Sequence, residues 1–309
     1  MMNQRPGNDG DVVVGVDIGG TKTALLAVDR VTGEELARDT FSTPHDRGPE
    51  HMIAELQRTI DGLLQKAGRA REGLRAVGVA VPGQVDTTGQ VLRAGNLQGW
   101  IDLPLGDRLK TTLGVPVFVD HDANCGALAE KWRGCAQGAS DFVFLALGTG
   151  LGAGIVIDGR VYRGAHHAAG EVGNMVPGRH QLGHPSPGQH LGQLAGGRAI
   201  RNKARQAVGH PIGAGEAIRE AEHDERLGPL ADEVADHVSL VVLALAVVLD
   251  PEMIVLGGGT AGDELIERVS ERVQPSVVVP LRLVRAGLGE DAQAFGAVFG
   301  ALRLLGDVT

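Results

Sequence analysis

Two stretches of the chain open in the same way, and that repetition limits the fold more than any other feature. Residues 11–29 read DVVVGVDIGGTKTALLAVD, and residues 141–162 read DFVFLALGTGLGAGIVIDGRVY. Each is an apolar run rich in β-branched or aromatic residues, then a glycine turn, then a second apolar run: strand, tight turn, strand. Gly33 closes a further turn in the first stretch, so Glu34 to Thr40 reads as a third strand, and the second stretch likewise ends in a turn and a strand. A repeat of this kind predicts a duplicated α/β fold with a cleft between two similar halves.

The rest of the chain fits that frame. Met52, Ile53, Leu56, Ile60, Leu63 and Leu64 have helical spacing within residues 49–68, with Pro49 near the start and Gly68 at the stop. A buried strand AVGVAV ends at Pro82-Gly83, followed by a helix from Leu105 to Leu113, a strand PVFVD and a helix from Ala123 to Arg133. Beyond the second glycine stretch, helices are expected near 195–208, 214–222 and 229–249. A strand EMIVLGGG, a helix, a strand near 282–285 and a terminal helix 292–305 complete the pattern. The expected domains are a small lobe of residues 1–122 plus 292–309, the last helix packing back on it, and a large lobe of 123–291. The segment from Asp236 to Leu249 is apolar nearly all round, which makes it a core helix or an oligomer interface.

Composition closes off several classes. The net charge is −9 with no Lys/Arg run, which argues against a nucleic-acid partner. Cys125 and Cys135 are the only cysteines, too few for a disulfide framework and consistent with a cytoplasmic protein. The first ten residues are polar, with no apolar core of a leader peptide, and the longest greasy stretch, Val238 to Leu249, is too short for a bilayer. No membrane partner is expected.

Glycine, 47 of 309 residues, is about twice as frequent as usual. Three glycine turns follow apolar strands: Asp17-Ile-Gly19-Gly20-Thr21-Lys22, Gly148-Thr149-Gly150-Leu-Gly-Ala-Gly154 and Gly257-Gly258-Gly259. Without a Cβ in the way, backbone N–H groups can cradle anionic oxygens. Asp17, Thr21 and Lys22 add a carboxylate suited to Mg²⁺ through water, a hydroxyl and a point cation. Three such turns suit a triphosphate. The first does not have the Walker A spacing. The third matches G-x-G-x-x-G, but no acidic residue ends a following strand about 20 residues on, so a dinucleotide site is not expected. In VDHDAN, Asp122 ends a strand and precedes a helix, where active-site carboxylates of open α/β sheets collect. It reads as a general base or as a plain helix cap, with Asp120 as its competitor.

These motifs together resemble the ROK family of sugar kinases, within the actin-like ATPase superfamily. DIGGTK resembles its first phosphate loop, VPGQVD the next strand and turn, AGNLQGW a sugar-contacting loop and DHDAN the catalytic loop. LGTGLGAGIVIDGRVYRG resembles the second phosphate loop, GEVGN the sugar-binding Glu-x-Gly-His element, and LGGG the adenosine motif. The resemblance implies two actin-like, ribonuclease H-like lobes, ATP and Mg²⁺ as cofactors, transfer to a sugar hydroxyl, and a homodimer or homotetramer. It implies Asp122 as base. Pro82, Gly83, Asn96, His121, Glu171 and Asn174 would stand at the substrate, and Gly148 to Gly150 and Gly257 to Gly259 at the nucleotide.

Departures from the family pattern cluster. His121 replaces an Asn and Asn174 a His. Gly183, Pro185 and His190 stand at the three cysteines of the family's zinc loop, so no zinc site of that kind is expected; His180, His184 and His190 are the remaining candidates for a substitute. Gly192 stands where the resemblance places a sugar-binding Glu. The missing groups are those that hold the anomeric end of a glucose-like ring, which points to a primary hydroxyl on a cyclitol or carbasugar, of the valiolone type, as acceptor. An ordinary glucokinase or N-acetylhexosamine kinase and a sugar-sensing pseudokinase are the alternatives. A transcriptional repressor is disfavoured, because only ten residues precede the first strand.

Overall fold

The structure is a computed structural model that describes residues 10–95, 97–183 and 189–308, His180 by its backbone alone. Its contacts divide the chain into two compact units, one running to Ala129 and resuming at Gln293, the other Glu130–Ala292.

In the first unit, β1 (Val12–Ile18), β2 (Lys22–Asp29) and β3 (Glu35–Ser42) form an antiparallel meander. α1 (Gly48–Lys66) leads to β4 (Leu74–Val81). Three short strands follow, β5 (Gln84–Val85), β6 (Val91–Arg93) and β7 (Ile101–Leu103), then α2 (Leu105–Leu113), β8 (Val117–His121) and α3 (Asp122–Arg133). The large sheet has the order β3-β2-β1-β4-β8, with β1, β4 and β8 parallel. The apolar spacing of α1 works as expected: Met52, Leu56, Ile60 and Leu63 are buried against Val12, Val14 and Val16 of β1.

In the second unit, β9 (Phe142–Leu147), β10 (Leu151–Ile157) and β11 (Arg160–Val161) form another antiparallel meander. The helices α4 (Leu191–Leu194), α5 (Gly197–Val208), α6 (Ala214–Glu220) and α7 (Gly228–Leu249) precede β12 (Met253–Gly257), α8 (Asp263–Val273) and β13 (Leu283–Arg285). The sheet order is β11-β10-β9-β12-β13, with β9, β12 and β13 parallel. Strand for strand, this is the topology of the first unit, so the duplication read from the glycine stretches is present in the hydrogen-bonded sheets. Val238, Val241, Val242 and Leu245 of α7 are buried in this core, whereas Leu240, Val247 and Val248 of the same helix are exposed.

The terminal helix, α9 (Ala292–Leu304), lies against β1, β4 and α3 of the first unit, backbone against backbone. A Cβ on Gly15 would strike the carbonyl of Ala294, one on Gly78 that of Ala297, and one on Gly296 that of Cys125. Gly15 and Gly78 therefore serve helix-to-sheet contact, and Gly296 the contact of α9 with α3.

The small sheet β5-β6-β7 has no counterpart in the sequence reading. Its strands are two or three residues long, too short for an alternating pattern to register. It leads into the loop that buries Leu97 and Trp100 in the first unit's core.

Candidate active site

In the first unit, the turn between β1 and β2 is closed by the Gly19 N–H donating to the Lys22 carbonyl at 3.0 Å. A residue outside the sequence motifs supports it. Thr43, buried just after β3, donates its hydroxyl to the Gly19 carbonyl at 2.7 Å and its N–H to the Thr21 carbonyl at 3.0 Å. A lone Thr behind an edge strand carries no sequence signal. Thr21 and Lys22 are exposed, and Asp17 and Gly20 are half-buried. Asp17 pairs in register with Ala80 of β4, and Ala80 pairs with Asp120 of β8. Both carboxylates therefore stand in one row near the carboxyl ends of parallel strands, where α/β sheets bind ligands.

Gly83 follows Pro82 at the end of β4 with a φ of +120°. A Cβ there would strike the Arg93 carbonyl, so the glycine lets the AGNLQGW loop approach the end of that strand. The loop is tied by the Ala94 N–H to the Trp100 carbonyl and by the Gln98 N–H to the His45 carbonyl. Asn96 lies outside the described residues.

At the junction of β8 and α3 the structure separates the two competing carboxylates. Asp120 is 1% exposed, and its Oδ1 accepts the His121 N–H at 2.8 Å and Asn124 Nδ2–H at 2.9 Å. The Asp122 side chain is 31% exposed; its Oδ1 accepts the Ala123 N–H at 2.7 Å and faces His121 Nε2 at 3.0 Å. A base must meet its proton donor directly, which Asp122 is placed to do and Asp120 is not.

In the second unit, two of the glycine turns come together. The 148–150 turn follows β9 and is closed by the Gly148 N–H on the Gly150 carbonyl. The start of α5 braces it: the Gly197 N–H donates to the Gly148 carbonyl at 2.8 Å, and the Arg198 N–H to the Thr149 carbonyl at 3.4 Å. From the other side, the Thr260 N–H donates to the Leu147 carbonyl, and a Cβ on Gly258 would sit 2.6 Å from that same oxygen. Gly196, Gly197 and Thr260 belong to this arrangement and were not singled out by the sequence, although a glycine pair opening a helix is a usable signal.

The glycines divide by what surrounds them. A Cβ on Gly19 or Gly258 would meet the protein's own backbone, and one on Gly257 the ring of Phe144. Around Gly148 and Gly150 the same space is open, so these two are free to admit a ligand. Beside them, a cavity of about 170 Å³ is lined by Gly257 to Gly259, Leu256, Arg219, Arg285 and Glu290, among others. The turn is fit to receive phosphate oxygens, and the cavity has room for part of an adjoining nucleoside.

The GEVGN segment wraps β10. Gly170 (φ +88°) and Gly173 both lie against its backbone, and the Ala153 N–H donates to the Gly170 carbonyl at 2.8 Å. Asn174 is exposed, its Nδ2 3.4 Å from an oxygen of half-buried Glu171. Its carbonyl is engaged by His190 Nδ1 at 2.9 Å. Gly192 packs on Gly173, where a Cβ would lie 3.2 Å from the Gly173 Cα and carbonyl. His190 is thus a peg for the segment. Of the other histidines considered for a metal, His184 lies outside the described residues, as does the side chain of His180. Among the described residues no three His, Cys, Asp or Glu side chains are grouped to hold a metal ion.

The sequence model of the ROK family matches residues 13–304. A glucokinase of Halalkalibacterium halodurans is 30% identical over 310 residues, covering 92% of each chain. An N-acetyl-D-glucosamine kinase of Photobacterium profundum is 30% identical, over 92% of this chain and 97% of its own. The crystal structure of a ROK family glucokinase from Streptomyces griseus, in complex with glucose and AMPPNP, superposes with a TM-score of 0.81 at 27% identity, covering 94% of this chain and 99% of that one.

Proposed function

The chain belongs to the ROK family, and on that premise we propose that it is an ATP-dependent kinase that phosphorylates a hydroxyl of a sugar or sugar-like acceptor. The observation that carries this reading is the second unit's open glycine turn at 148–150 beside the cavity at 257–259. The α/β architecture, with the same five-strand order in each unit, is that of the actin-like ATPase fold shared by ROK kinases.

In the mechanism, the Gly148-Thr149-Gly150 turn holds the phosphates through the N–H groups of Thr149 and Gly150, that of Gly148 closing the turn on the Gly150 carbonyl, and the cavity beside Gly257 to Gly259 takes part of the nucleoside. Asp17, Thr21 and Lys22 supply a carboxylate, a hydroxyl and an ammonium of the kinds that hold phosphate and Mg²⁺; Asp17 would hold Mg²⁺ through water, and the ion would neutralise phosphate charge. ATP supplies the γ-phosphoryl group when bound. Asp122 accepts the proton of the acceptor hydroxyl as its oxygen bonds to phosphorus and the bond to the ADP oxygen breaks. Glu171, Asn174 and Asn96 are the side chains we assign to the acceptor's hydroxyls.

For the acceptor we propose a cyclitol or carbasugar changed at the anomeric side. Asn174 and Gly192 support this: neither offers the charged or imidazole group that a glucose-like anomeric hydroxyl would use, and a polar pocket discriminates strongly through such partners. A homodimer or homotetramer is part of the proposal, supported by the exposed Leu240, Val247 and Val248 on α7. The deciding experiment is ATP-dependent phosphorylation of D-glucose, N-acetyl-D-glucosamine, N-acetyl-D-mannosamine and a valiolone-type cyclitol. The cyclitol is expected to give the highest kcat/KM. A higher value for glucose or an N-acetylhexosamine would replace the acceptor, and no turnover of any polyol despite ATP binding would turn the reading to a sensor.

A further inference from the structure

His121 ends β8, and its backbone and its ring are both engaged by carboxylates. Its N–H donates to Oδ1 of Asp120, which is buried and also holds Asn124. Its ring, 12% exposed, places Nε2 3.0 Å from Oδ1 of Asp122. That oxygen also accepts the Ala123 N–H at 2.7 Å, while Oδ2 has no hydrogen-bond partner among the described residues. An ionised carboxylate only accepts, so the hydrogen between ring and carboxylate belongs to Nε2.

We propose that His121 is a positioning residue for Asp122. Its Nε2–H and the Ala123 N–H together occupy Oδ1, which fixes the side-chain rotamer and leaves Oδ2 as the oxygen that meets the acceptor's proton. The buried Asp120 anchors the strand end from which the ring reaches, so the order of support runs Asp120, His121, Asp122. A flexible carboxylate at the first turn of a helix samples several rotamers, and an ångström of misplacement of a reacting group costs about a hundredfold in rate. The ring removes that freedom. The nitrogen that could have bound substrate is thereby committed to the base. This inference rests on Asp122 being that base.

The test uses His121→Ala and His121→Gln with the best acceptor of the four-compound panel. His121→Ala is expected to lower kcat about tenfold or more, with KM for ATP and acceptor changed less than about threefold. His121→Gln, whose side-chain amide can donate to Oδ1, is expected to recover most of the loss. In an Asp122→Asn background, His121→Ala should change the residual rate less than about twofold, because the two act as one unit. A kcat within about twofold of the parent, an acceptor KM that rises while kcat holds, or an undiminished loss in the Asp122→Asn background would each overturn the role. Asp122→Asn retaining more than a few per cent of kcat would instead overturn the base itself. Nitrogen-15 correlation spectra of the unaltered protein need no variant to fold: the His121 ring should be the Nε2–H tautomer, and an Nδ1–H tautomer would contradict the pairing.

Discussion

Single residues in this chain do different work from what their type suggests. Glycine is the clearest case: Gly148 and Gly150 face open space, whereas Gly19 and Gly258, in motifs of the same look, are needed by the protein's own backbone. Sequence shows where a Cβ is missing but not what would have met it. Cys135 is a second case. Burial, and then the neighbouring Glu130 carboxylate, push its thiol up to about 11 from an ordinary value near 9. Glu130 is itself fully buried and accepts the N–H groups of Cys135, Gly287 and Leu288. At pH 8 the folded protein should therefore react slowly with a thiol reagent at Cys135, and not at all at buried Cys125, while both should react at once in urea. The sign in alkali follows: above pH 9 the unfolded chain releases a proton that the folded one retains, so this group's share of stability is lost between pH 9 and 11. A native thiol titrating fast at pH 8 would contradict the placement of Cys135.

At the scale of elements, long and periodic segments were legible and short or contact-dependent ones were not. α1, α2, α3, α7 and the strands of both large sheets fall within a residue or two of their sequence expectations, because each carries a full turn or pleat of apolar pattern. The strands of the β5-β6-β7 sheet are too short to carry a pattern, and the Thr43 brace depends on a partner distant in sequence, so both were invisible. The seat of α9 is an intermediate case: the helix was read, but the glycines that admit it were not. Gly78→Ala should destabilise the protein by at least about 2 kcal/mol in urea unfolding, because its methyl would strike the Ala297 backbone and not a movable side chain. A neutral result would mean that α9 sits further from the sheet. On α7, burial lowers the affinity of His237 for a proton, an effect that nearby Glu233 opposes and Lys203 reinforces. The unfolded chain takes up that proton more readily, so stability should fall as pH drops below about 6.5. His237→Gln should show a smaller loss of urea midpoint between pH 7.5 and 5.5 than the parent; an equal loss would assign the acid sensitivity elsewhere.

For the whole molecule, the repeated strand-turn-strand opening foretold two sheets with one topology, because a duplicated pattern of burial can be satisfied by a duplicated sheet. Sequence marked candidates for the site where polar chemistry sits on a strand end or in a glycine turn, as with Asp122 and residues 148–150. Asp122 was chosen over Asp120 through the family resemblance; that one is exposed and the other buried could not be read from their shared sequence context. Assembly is tested at this scale too. If the apolar face of α7 joins copies of the chain, Val248→Glu should lower the mass measured by light scattering to that of a monomer of 32.2 kDa while leaving the fold intact. A monomeric parent, or a variant of unchanged mass, would remove that face from the account. The central claim, a kinase whose base is Asp122, is tested most directly by Asp122→Asn assayed for phosphoryl transfer alongside calorimetric ATP binding. The expected result is a fall in kcat to below a few per cent with ATP affinity nearly intact; substantial turnover by the variant would contradict it.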